Sequence, residues 1–576
     1  MKQELIQFIR ENKLSPFNST KTVVDKGTTI YKTRDAKQIN SRVISKISEY
    51  FAFADSANLL NFFEFTENKD EIKKRQDFFN EIKNIGKKDN KFLSQINIPK
   101  AWWKPEYDVA VVTENSDTFT KLKEKGIPVQ LVISETDIAL LEGRDIVQII
   151  NCEDYSLALE NLPQSVFIKN PEEVYLERHL ETLSGWKNNL EILEKNEVLA
   201  EMKKIVEELN PTLNLTSKNQ KETISREDVE SKIESINKEI SQRIKELTIS
   251  GESLVAILSK KDMPEEIKKI IRQTIDQFNI PPQVINAEIP VSIDEEELER
   301  LIQKENTNKY ANLAEKIKSS ASVLKEVPKK LQELSELLIF FDFVAGISQF
   351  ICGEMKFPEF GNALVIEESK NLFLDNPQPI SFYLNQNYLC SILTGANSGG
   401  KTTLVEHIIQ LISLSQIGLP VYGRICVPLF TDVYYFAKNK GSASKGAFET
   451  LLSQMASIEP GSQTLILADE IESVTEPGVA GKIIAATADF FIKQGCFLVI
   501  ATHLGHEIQH ILPEKTRIDG IEAKGLDKNF ELIVDHNPVL GRLANSTPEL
   551  IVEKMANSEM KDYFIHLNNW LKKKGN

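Results

Sequence analysis

Residues 391–403 read SILTGANSGGKTT, and this stretch determines the fold that we expect for the C-terminal part of the chain. The residues at its start predict a short buried strand, and residues 404–418 predict a helix with apolar side chains at helical spacing. Between the strand and the helix lies the pattern G-x-x-x-x-G-K-[ST], which in this context is a phosphate-binding loop. The stretch therefore predicts an α/β domain that binds the phosphates of a nucleotide.

Each residue type in this loop has a physical reason to be there. The glycines allow backbone N–H groups to turn towards the phosphates, and the helix N-terminus adds partial positive charge. Lys401 is placed to neutralise the β- and γ-phosphates, and the Thr402 hydroxyl can complete the coordination shell of Mg²⁺. The residues that we predict to bind ATP are Gly395, Ala396, Asn397, Ser398, Gly399, Gly400, Lys401, Thr402 and Thr403.

Two neighbouring carboxylates follow a second predicted strand. Residues 464–468 are small or apolar and end in Asp469 and Glu470. Ligands of open α/β sheets bind at the carboxyl ends of strands. We therefore predict that Asp469 holds Mg²⁺ together with Thr402, and that Glu470 accepts a proton from the attacking water as a general base.

A histidine follows a third predicted strand. Residues 497–501 are apolar, and His503 comes two positions after them. A histidine at the end of a core strand can contact the γ-phosphate or the attacking water, so we predict that His503 is catalytic. His506 and His510 follow on a short predicted helix, and we interpret them as surface or packing residues.

The bulk composition places few limits on function. With 576 residues the chain is too long for one hydrophobic core, and about three or four domains are expected. The net charge of −15 gives no support to nucleic-acid binding, although basic residues can be segregated onto one face. No apolar run is long enough for a membrane helix, and the N-terminus does not resemble a signal peptide.

The cysteines indicate a reducing compartment. They are scattered, odd in number and form no C-x-x-C pair, which argues against a disulfide framework or a zinc site. We therefore expect a cytoplasmic protein. The five cysteines are Cys152, Cys352, Cys390, Cys426 and Cys496.

Changes in pattern along the chain predict four regions. A mostly helical region is expected first, followed by a small parallel α/β module with three strands and two helices. A long, charged, helical region comes next, and alternating strands and helices then return to the end of the chain. The predicted boundaries are 1–105, 106–170, 171–345 and 346–576.

The third region contains a narrow apolar stripe on a polar helix. Its apolar residues are three and four positions apart, and Ser225 is a candidate N-cap. This pattern is typical of a coiled-coil arm, and an ordinary helical bundle is the alternative. A second arm is expected over about 312–340. The stripe consists of Val229, Ile233, Ile236, Ile240 and Ile244.

Five segments of the fourth region resemble the ATPase domain of MutS proteins, which are relatives of the ABC ATPases. The resemblance implies an ABC-type P-loop ATPase domain. With the long helical lever and clamp arms and the small parallel α/β insert that precede this domain, the expected fold class is α/β plus α. It also implies a homodimer, in which the last segment packs the two subunits together. The segments are TGANSGGKTT (394–403), QIGLPV (416–421), LILADEI (465–471), ATHLGHEI (501–508) and NPVLGRLANSTPELIVEKMA (537–556).

In that family each ATP site is completed by a signature loop of the other subunit, and GSASKGAFE (441–449) is the candidate here. If Phe448 matches the family's phenylalanine, the usual serine falls on Gly446, and Ser444 can substitute. The register is open, and a flexible loop is the alternative.

The resemblance further implies an ATP-driven clamp on duplex or branched DNA, acting in repair or recombination control. Departures from the pattern place mismatch recognition in doubt. Phe62-Phe63-Glu64 is a formal match to the Phe-x-Glu mismatch reader, but we interpret these phenylalanines as core residues. Neither a mismatch-recognition domain nor a C-terminal Smr domain is evident, so the chain resembles the short MutS-related ATPases. An ATPase whose arms act on RNA, a ribosome or a protein is the alternative.

Overall fold

The computed structural model describes most of the chain and divides it into two compact units. One unit contains Met1–Asn97 together with Glu333–Asn576, and the other contains Ile98–Gln332. The residues that it does not describe are 19–28, 103, 105–106, 163, 214, 216–224, 247–263, 396–398, 438–444, 471–476, 527–531, 545–547, 559–560 and 575–576.

The described helices and strands are numbered here in chain order. The α-helices are α1 (Lys2–Glu11), α2 (Arg34–Ser48), α3 (Lys69–Ile85), α4 (Ser116–Glu124), α5 (Glu135–Ala139), α6 (Ser156–Glu160), α7 (Glu177–Lys195), α8 (Ala200–Leu213), α9 (Arg226–Lys245), α10 (Glu265–Gln277), α11 (Glu295–Ser319), α12 (Ala321–Phe350), α13 (Lys401–Ile417), α14 (Lys445–Ala456), α15 (Pro477–Lys493), α16 (Gly505–Ile508), α17 (Pro548–Ser558) and α18 (Asp562–Lys574). The strands are β1 (Val109–Thr113), β2 (Val129–Leu131), β3 (Ile146–Ile149), β4 (Ser165–Phe167), β5 (Ile285–Asn286), β6 (Ser292–Ile293), β7 (Met355–Lys356), β8 (Glu359–Phe360), β9 (Leu364–Ser369), β10 (Ile380–Leu384), β11 (Cys390–Gly395), β12 (Val421–Tyr422), β13 (Arg424–Val427), β14 (Asp432–Phe436), β15 (Thr464–Asp469), β16 (Phe497–Ala501), β17 (Thr516–Ile521), β18 (Ala523–Leu526), β19 (Leu532–Val534) and β20 (Val539–Leu540).

A six-stranded sheet forms the centre of the first unit. Its strand order is β14-β15-β16-β11-β17-β20, and every pair is parallel except β17 with β20. Every residue of β15 and β16 is buried, as expected for strands that are covered on both faces of a parallel sheet. Because β15, β16 and β11 are neighbours, the residues that follow these three strands meet at one edge of the sheet.

A four-stranded sheet, of order β10-β9-β13-β8, belongs to the same unit. Strands β9 and β10 are antiparallel, and the connection between them runs from Lys370 to Pro379. This connection, called the β9–β10 loop below, lies against the start of α13 and forms one wall of the candidate site.

The N-terminal residues and the C-terminal domain share this unit. The Asp342 carboxylate, which is fully buried on α12, accepts backbone N–H groups of Ala52 and Phe53 at 2.9 and 2.8 Å. Phe63, which is 4% exposed, stacks on Phe343 of the same helix with 6.1 Å between ring centroids. Phe63, the middle residue of the formal Phe-x-Glu match, is therefore a core residue. Phe62, at the Phe position of that match, is only half-buried, and its ring lies 5.3 Å from that of Phe63. The unit ends at Asn97 and resumes at Glu333, whereas the sequence suggested boundaries at 105 and 345.

The second unit begins with the small α/β module. Its four parallel strands have the order β2-β1-β3-β4, so a fourth strand joins the three that the sequence predicts. Apolar side chains cover both faces of this sheet, with Val112, Val147 and Leu159 in one cluster and Val111 and Leu122 in another. The burial on both faces explains why the two central strands, β1 and β3, are mostly apolar.

The apolar stripe of the third region packs differently from the expected coiled coil. Val229, Ile233, Ile236 and Ile240 of α9 are buried in a cluster with residues of α10, the β5–β6 hairpin and α11. Several different elements cover the stripe, so it forms part of a small globular core rather than a two-helix seam.

In the described part of the chain, no helix combines the length and the apolar composition that crossing a membrane requires.

Candidate functional site at the carboxyl edge of the central sheet

The predicted phosphate-binding loop connects β11 with α13. Gly395 has a φ of 129°, and a Cβ atom at this position would lie 2.2 Å from the carbonyl oxygen of Ile521 in β17. Gly400, at the start of the helix, has a φ of 96°. Both positions therefore require glycine. The predicted loop residues that lie outside the described part of the chain are Ala396, Asn397 and Ser398.

Lys401 and Thr402 form the first turn of α13, and both side chains reach the sheet edge. The ammonium group of Lys401 donates a hydrogen bond to the carbonyl oxygen of Gly395 at 2.5 Å, and the residue is 3% exposed. The Thr402 hydroxyl donates to Oδ2 of Asp469, also at 2.5 Å. Asp469 is the last residue of β15 and is buried. The structure thus brings the predicted lysine, hydroxyl and carboxylate together.

Glu470 follows β15 in an uncommon backbone conformation. Its φ is 49°, a left-handed value that costs energy for a residue with a side chain and that is frequent at functional sites. Its N–H donates to the carbonyl oxygen of Ala501 in β16 at 2.9 Å, which fixes the turn. Glu470 Oε1 lies 2.8 Å from Nε2 of His503. The side chain of Glu470 is 10% exposed and that of His503 is 38% exposed. A buried carboxylate is therefore paired with an imidazole that solvent can reach.

His536 is a site residue that the sequence analysis did not identify. Its Nδ1 lies 2.8 Å from the carbonyl oxygen of Gly399, and because a carbonyl only accepts, Nδ1 carries the proton. A Cβ atom at Gly400 would lie 3.0 Å from the same nitrogen. The histidine lies between β19 and β20, far from the loop in sequence. Its only sequence signal was a polar Asp-His-Asn run after an apolar strand.

A groove runs from the first turn of α13 to the β9–β10 loop. Its lining combines apolar side chains with two histidine rings and Thr403. The β9–β10 loop is fixed on α13 because the N–H of Leu372 donates to Oε1 of Gln410 at 3.0 Å. The groove is lined by Asn371, Leu374, Pro377, Gln378, Ile380, Gly400, Thr403, Leu404, His407 and His536.

His407 lies on α13 beneath this groove and is neutral at neutral pH. Burial lowers its pKa to about 4, because a charged imidazolium loses its hydration in the protein interior. Its Nε2 lies 2.9 Å from the hydroxyl of Ser369 at the end of β9. His407 therefore connects α13 with the end of β9, where the β9–β10 loop begins.

A buried ion pair lies on β17, next to the strand that leads into the loop. Arg517 Nε donates to Asp519 Oδ1 at 2.6 Å, and the Ser391 hydroxyl of β11 donates to Asp519 Oδ2 at 2.6 Å. The N–H of Gly541 also donates to Asp519 Oδ1, at 2.9 Å. The Asp519 carboxylate thereby links β11 to the C-terminal segment at Gly541. The sequence analysis did not identify Asp519 as part of the site.

The predicted signature-loop residues are only partly described. Ser444 lies outside the described residues. Gly446 and Phe448 lie in the first turn of α14, which follows β14 at the edge of the central sheet. The structure places this helix in the same unit as the loop of the same chain.

Comparison with known proteins finds that part of the chain is similar to MutS2 proteins. The sequence is 38% identical over 289 residues to the DNA-binding protein MutS2 of Pyrococcus furiosus, and the match covers 48% of this chain and 50% of that protein. The chain is MutS-related. The endonuclease MutS2 of Caldanaerobacter subterraneus subsp. tengcongensis is 23% identical over 248 residues, which cover 41% of this MutS-related chain and 30% of that protein.

A third relative, the endonuclease MutS2 of Fusobacterium nucleatum, is 23% identical over 224 residues, which cover 37% of this chain and 28% of that protein. The MutS-related chain thus spans half or less of the length of these curated relatives. No family model matches it.

Proposed function

We propose that this MutS-related chain binds ATP with Mg²⁺ and hydrolyses it. The observation that carries the proposal is the contact between the Thr402 hydroxyl and Asp469 Oδ2 at 2.5 Å, beside the buried ammonium group of Lys401. A lysine at a helix N-terminus favours a triphosphate, and the adjacent hydroxyl and carboxylate supply oxygen ligands for its metal. These groups have few other uses when they are placed together.

The donor set fits Mg²⁺ in particular. Within the described ranges, no group of three or more His, Cys, Asp or Glu side chains is placed to hold a metal ion. Mg²⁺ does not need such a cage, since it is commonly held by one or two protein oxygens, substrate phosphates and water. Thr402 and Asp469 would hold it here, and the bound metal would neutralise charge that develops on the phosphates.

Glu470 and His503 would act on the attacking water. A carboxylate next to the γ-phosphate can accept the proton that the water loses, which typically accelerates such a step about 10²–10⁴-fold. The imidazole of His503, 2.8 Å from Glu470 Oε1, orients this carboxylate and is accessible to the γ-phosphate or the water. The left-handed turn at Glu470 is consistent with this role, since uncommon backbone conformations cluster at functional sites.

The groove next to Gly400 would hold the nucleoside. Its apolar wall suits the face of a purine base, and the ring of His536 can stack on such a base. The bond from His536 Nδ1 to Gly399 orients that ring over the loop. A base in the groove and a phosphate chain along the loop would lie on the two sides of Gly400.

For the whole protein we infer an ATP-dependent clamp on DNA, formed by a cytoplasmic homodimer. The support is the match to relatives whose names specify DNA binding or endonuclease activity. In the dimer, each ATP site would be completed by Ser444, Gly446 or Phe448 of the other subunit. Closure of the helical arms on duplex or branched DNA would follow ATP binding, and hydrolysis would release them.

The experiment measures ATP hydrolysis and nucleic-acid binding by the full chain. We expect Mg²⁺-dependent hydrolysis, and affinity for duplex and branched DNA that falls steeply as salt increases, because phosphates provide most contacts. Binding to RNA or ribosomes without binding to DNA would refute the DNA clamp and support the alternative, an ATPase whose arms act on RNA or a ribosome. A chain that takes up no nucleotide in a calorimeter would refute the ATPase.

A further inference from the structure

A short N-terminal segment borders the central sheet on its open side. Residues 29–35, called the N-terminal strap below, precede and begin α2, and they lie along β14, the edge strand of the sheet. The N–H of Val433 donates to the carbonyl oxygen of Ile30 at 2.8 Å, and the N–H of Lys32 donates to the carbonyl oxygen of Val433 at 3.0 Å. The strap thus pairs with β14 as an extra strand would, which covers its exposed edge.

Two side chains of the strap hold the carboxyl end of β14. The hydroxyl oxygen of Thr33 accepts the N–H of Tyr435 at 2.9 Å, and Oδ2 of Asp35 accepts the N–H of Ala437 at 3.3 Å. At the other end of the strand, Lys32 forms an ion pair with Asp432 at 3.2 Å. The strap therefore fixes both ends of one strand, and different side chains serve the two ends.

The carboxyl end of β14 lies directly beside Asp469. Phe436 of β14 is paired with Ala468 of β15, so that Ala437 and Asp469 are the next residues on the two strands. Tyr435 is 2% exposed, and burial raises the pKa of its phenol, as does the nearby Asp469 carboxylate. Tyr435 and Asp469 are thus electrostatic neighbours in a buried place.

The strap also reaches α13, the helix that carries Lys401 and Thr402. The hydroxyl of Tyr31, a residue that is 5% exposed, lies 2.6 Å from the hydroxyl of Ser413 in the interior of the unit. One segment, remote in sequence, therefore contacts both the helix and the sheet edge between which the Thr402–Asp469 contact is made.

We propose that Thr33 and Asp35 are positioning residues for Asp469, because they hold the strand end against which this carboxylate is placed. The inference rests on the proposed function, in which Asp469 holds Mg²⁺. Without the two acceptors, the N–H groups of Tyr435 and Ala437, near the end of β14 and just after it, lose their partners and the strand end is free to separate from β15. The distance between Thr402 and Asp469 would then vary, and the metal would bind more weakly.

The test compares variants of the full chain in steady-state ATP hydrolysis over a range of Mg²⁺ concentrations. For Thr33→Val with Asp35→Ala, we expect the Mg²⁺ concentration for half-maximal rate to rise about fivefold or more, since two hydrogen bonds are removed. Binding of a fluorescent ATP analogue in EDTA is expected to stay within about twofold of the wild type, because the phosphate loop is not touched.

Two further variants separate positioning from general stability. Lys32→Ala removes the ion pair at the opposite end of the same strand, and we expect it to leave the Mg²⁺ dependence unchanged. Thr33→Ser with Asp35 intact keeps both acceptors and should behave as the wild type.

Equal Mg²⁺ dependence in the double variant and in Lys32→Ala would overturn the inference, and so would a parallel loss of metal-free nucleotide binding. A wild-type chain that hydrolyses no ATP would instead refute the proposed function, and the positioning role with it.

Discussion

Nε2 of His503 lies 2.8 Å from Oε1 of Glu470, and the two residues follow adjacent parallel strands. The pairing of β15 with β16 places the two residues together, because Asp469 is opposite Ala501 and both strands end at this pair. A carboxylate that is buried against an imidazole is held in a fixed direction. This arrangement suits a general base, and several predictions depend on it.

Replacement of Glu470 by Gln should lower kcat for ATP hydrolysis by about 10²–10³-fold, because the amide cannot accept a proton. Nucleotide affinity should be preserved, since the phosphate loop is unchanged. Steady-state kinetics and titration with a fluorescent ATP analogue test both statements. Glu507→Gln, an exposed carboxylate on α16, is the matched control. Undiminished turnover in Glu470→Gln would show that another group accepts the proton.

The His503→Asn variant should lose less activity than Glu470→Gln, about tenfold in kcat, because the carboxylate would remain but lose its oriented partner. The same assay measures this, with His506→Asn, an exposed histidine nearby, as the control. If His503→Asn and Glu470→Gln were equally inactive, the histidine would have a direct role in the chemistry beyond orientation.

Lys401→Ala should weaken ATP binding by at least about tenfold, because a charge-assisted contact to the phosphates is removed from a buried position. Isothermal titration with ATP measures the dissociation constant. Lys493→Ala, whose ion pair with Asp489 is exposed on α15, should bind as the wild type does. Unchanged affinity in Lys401→Ala would contradict the assignment of this loop.

His536→Ala should weaken nucleotide binding by up to about tenfold, the amount expected from loss of an aromatic stacking partner. Its effect should be seen for ATP and ADP alike, because the ring is proposed to contact the base rather than the γ-phosphate. Titration with both nucleotides is the measurement, and His510→Ala, which is exposed, is the control. An effect on ATP alone would place His536 at the phosphates instead.

Stability should decrease in acid in a way that depends on His407. The pKa of this histidine is lowered to about 4 in the folded chain, so the unfolded chain binds the proton first as the pH falls. The contribution of the neutral imidazole to the free energy of unfolding is therefore complete above about pH 6.5 and is lost as the pH falls through about 4. The total loss is on the order of 3 kcal/mol. Denaturant unfolding at a series of pH values measures it. His407→Gln should show a shallower pH dependence, and an identical dependence would contradict the assignment.

The sequence alone determined those features of the protein that depend on residues close together in the chain. The strand before Gly395, the helix after Gly400 and the apolar strands that end at Asp469 and near His503 could be predicted from residues within a few positions of one another. Such segments carry their own signal, because a turn that requires glycine and a strand buried on both faces restrict composition directly. The order of these segments also implied the family.

Only the tertiary structure decided which remote residues complete the site. His536 contacts Gly399, Asp519 binds Ser391, and Thr33 holds Tyr435, across separations of 137, 128 and 402 positions. Apart from the polar run around His536, these residues show no local pattern, since each acts through a hydrogen bond that exists only when two distant segments are neighbours. The order of the strands in the sheet is not encoded by any single residue. It therefore determined which distant residues, such as His536, Asp519 and Thr33, support the site.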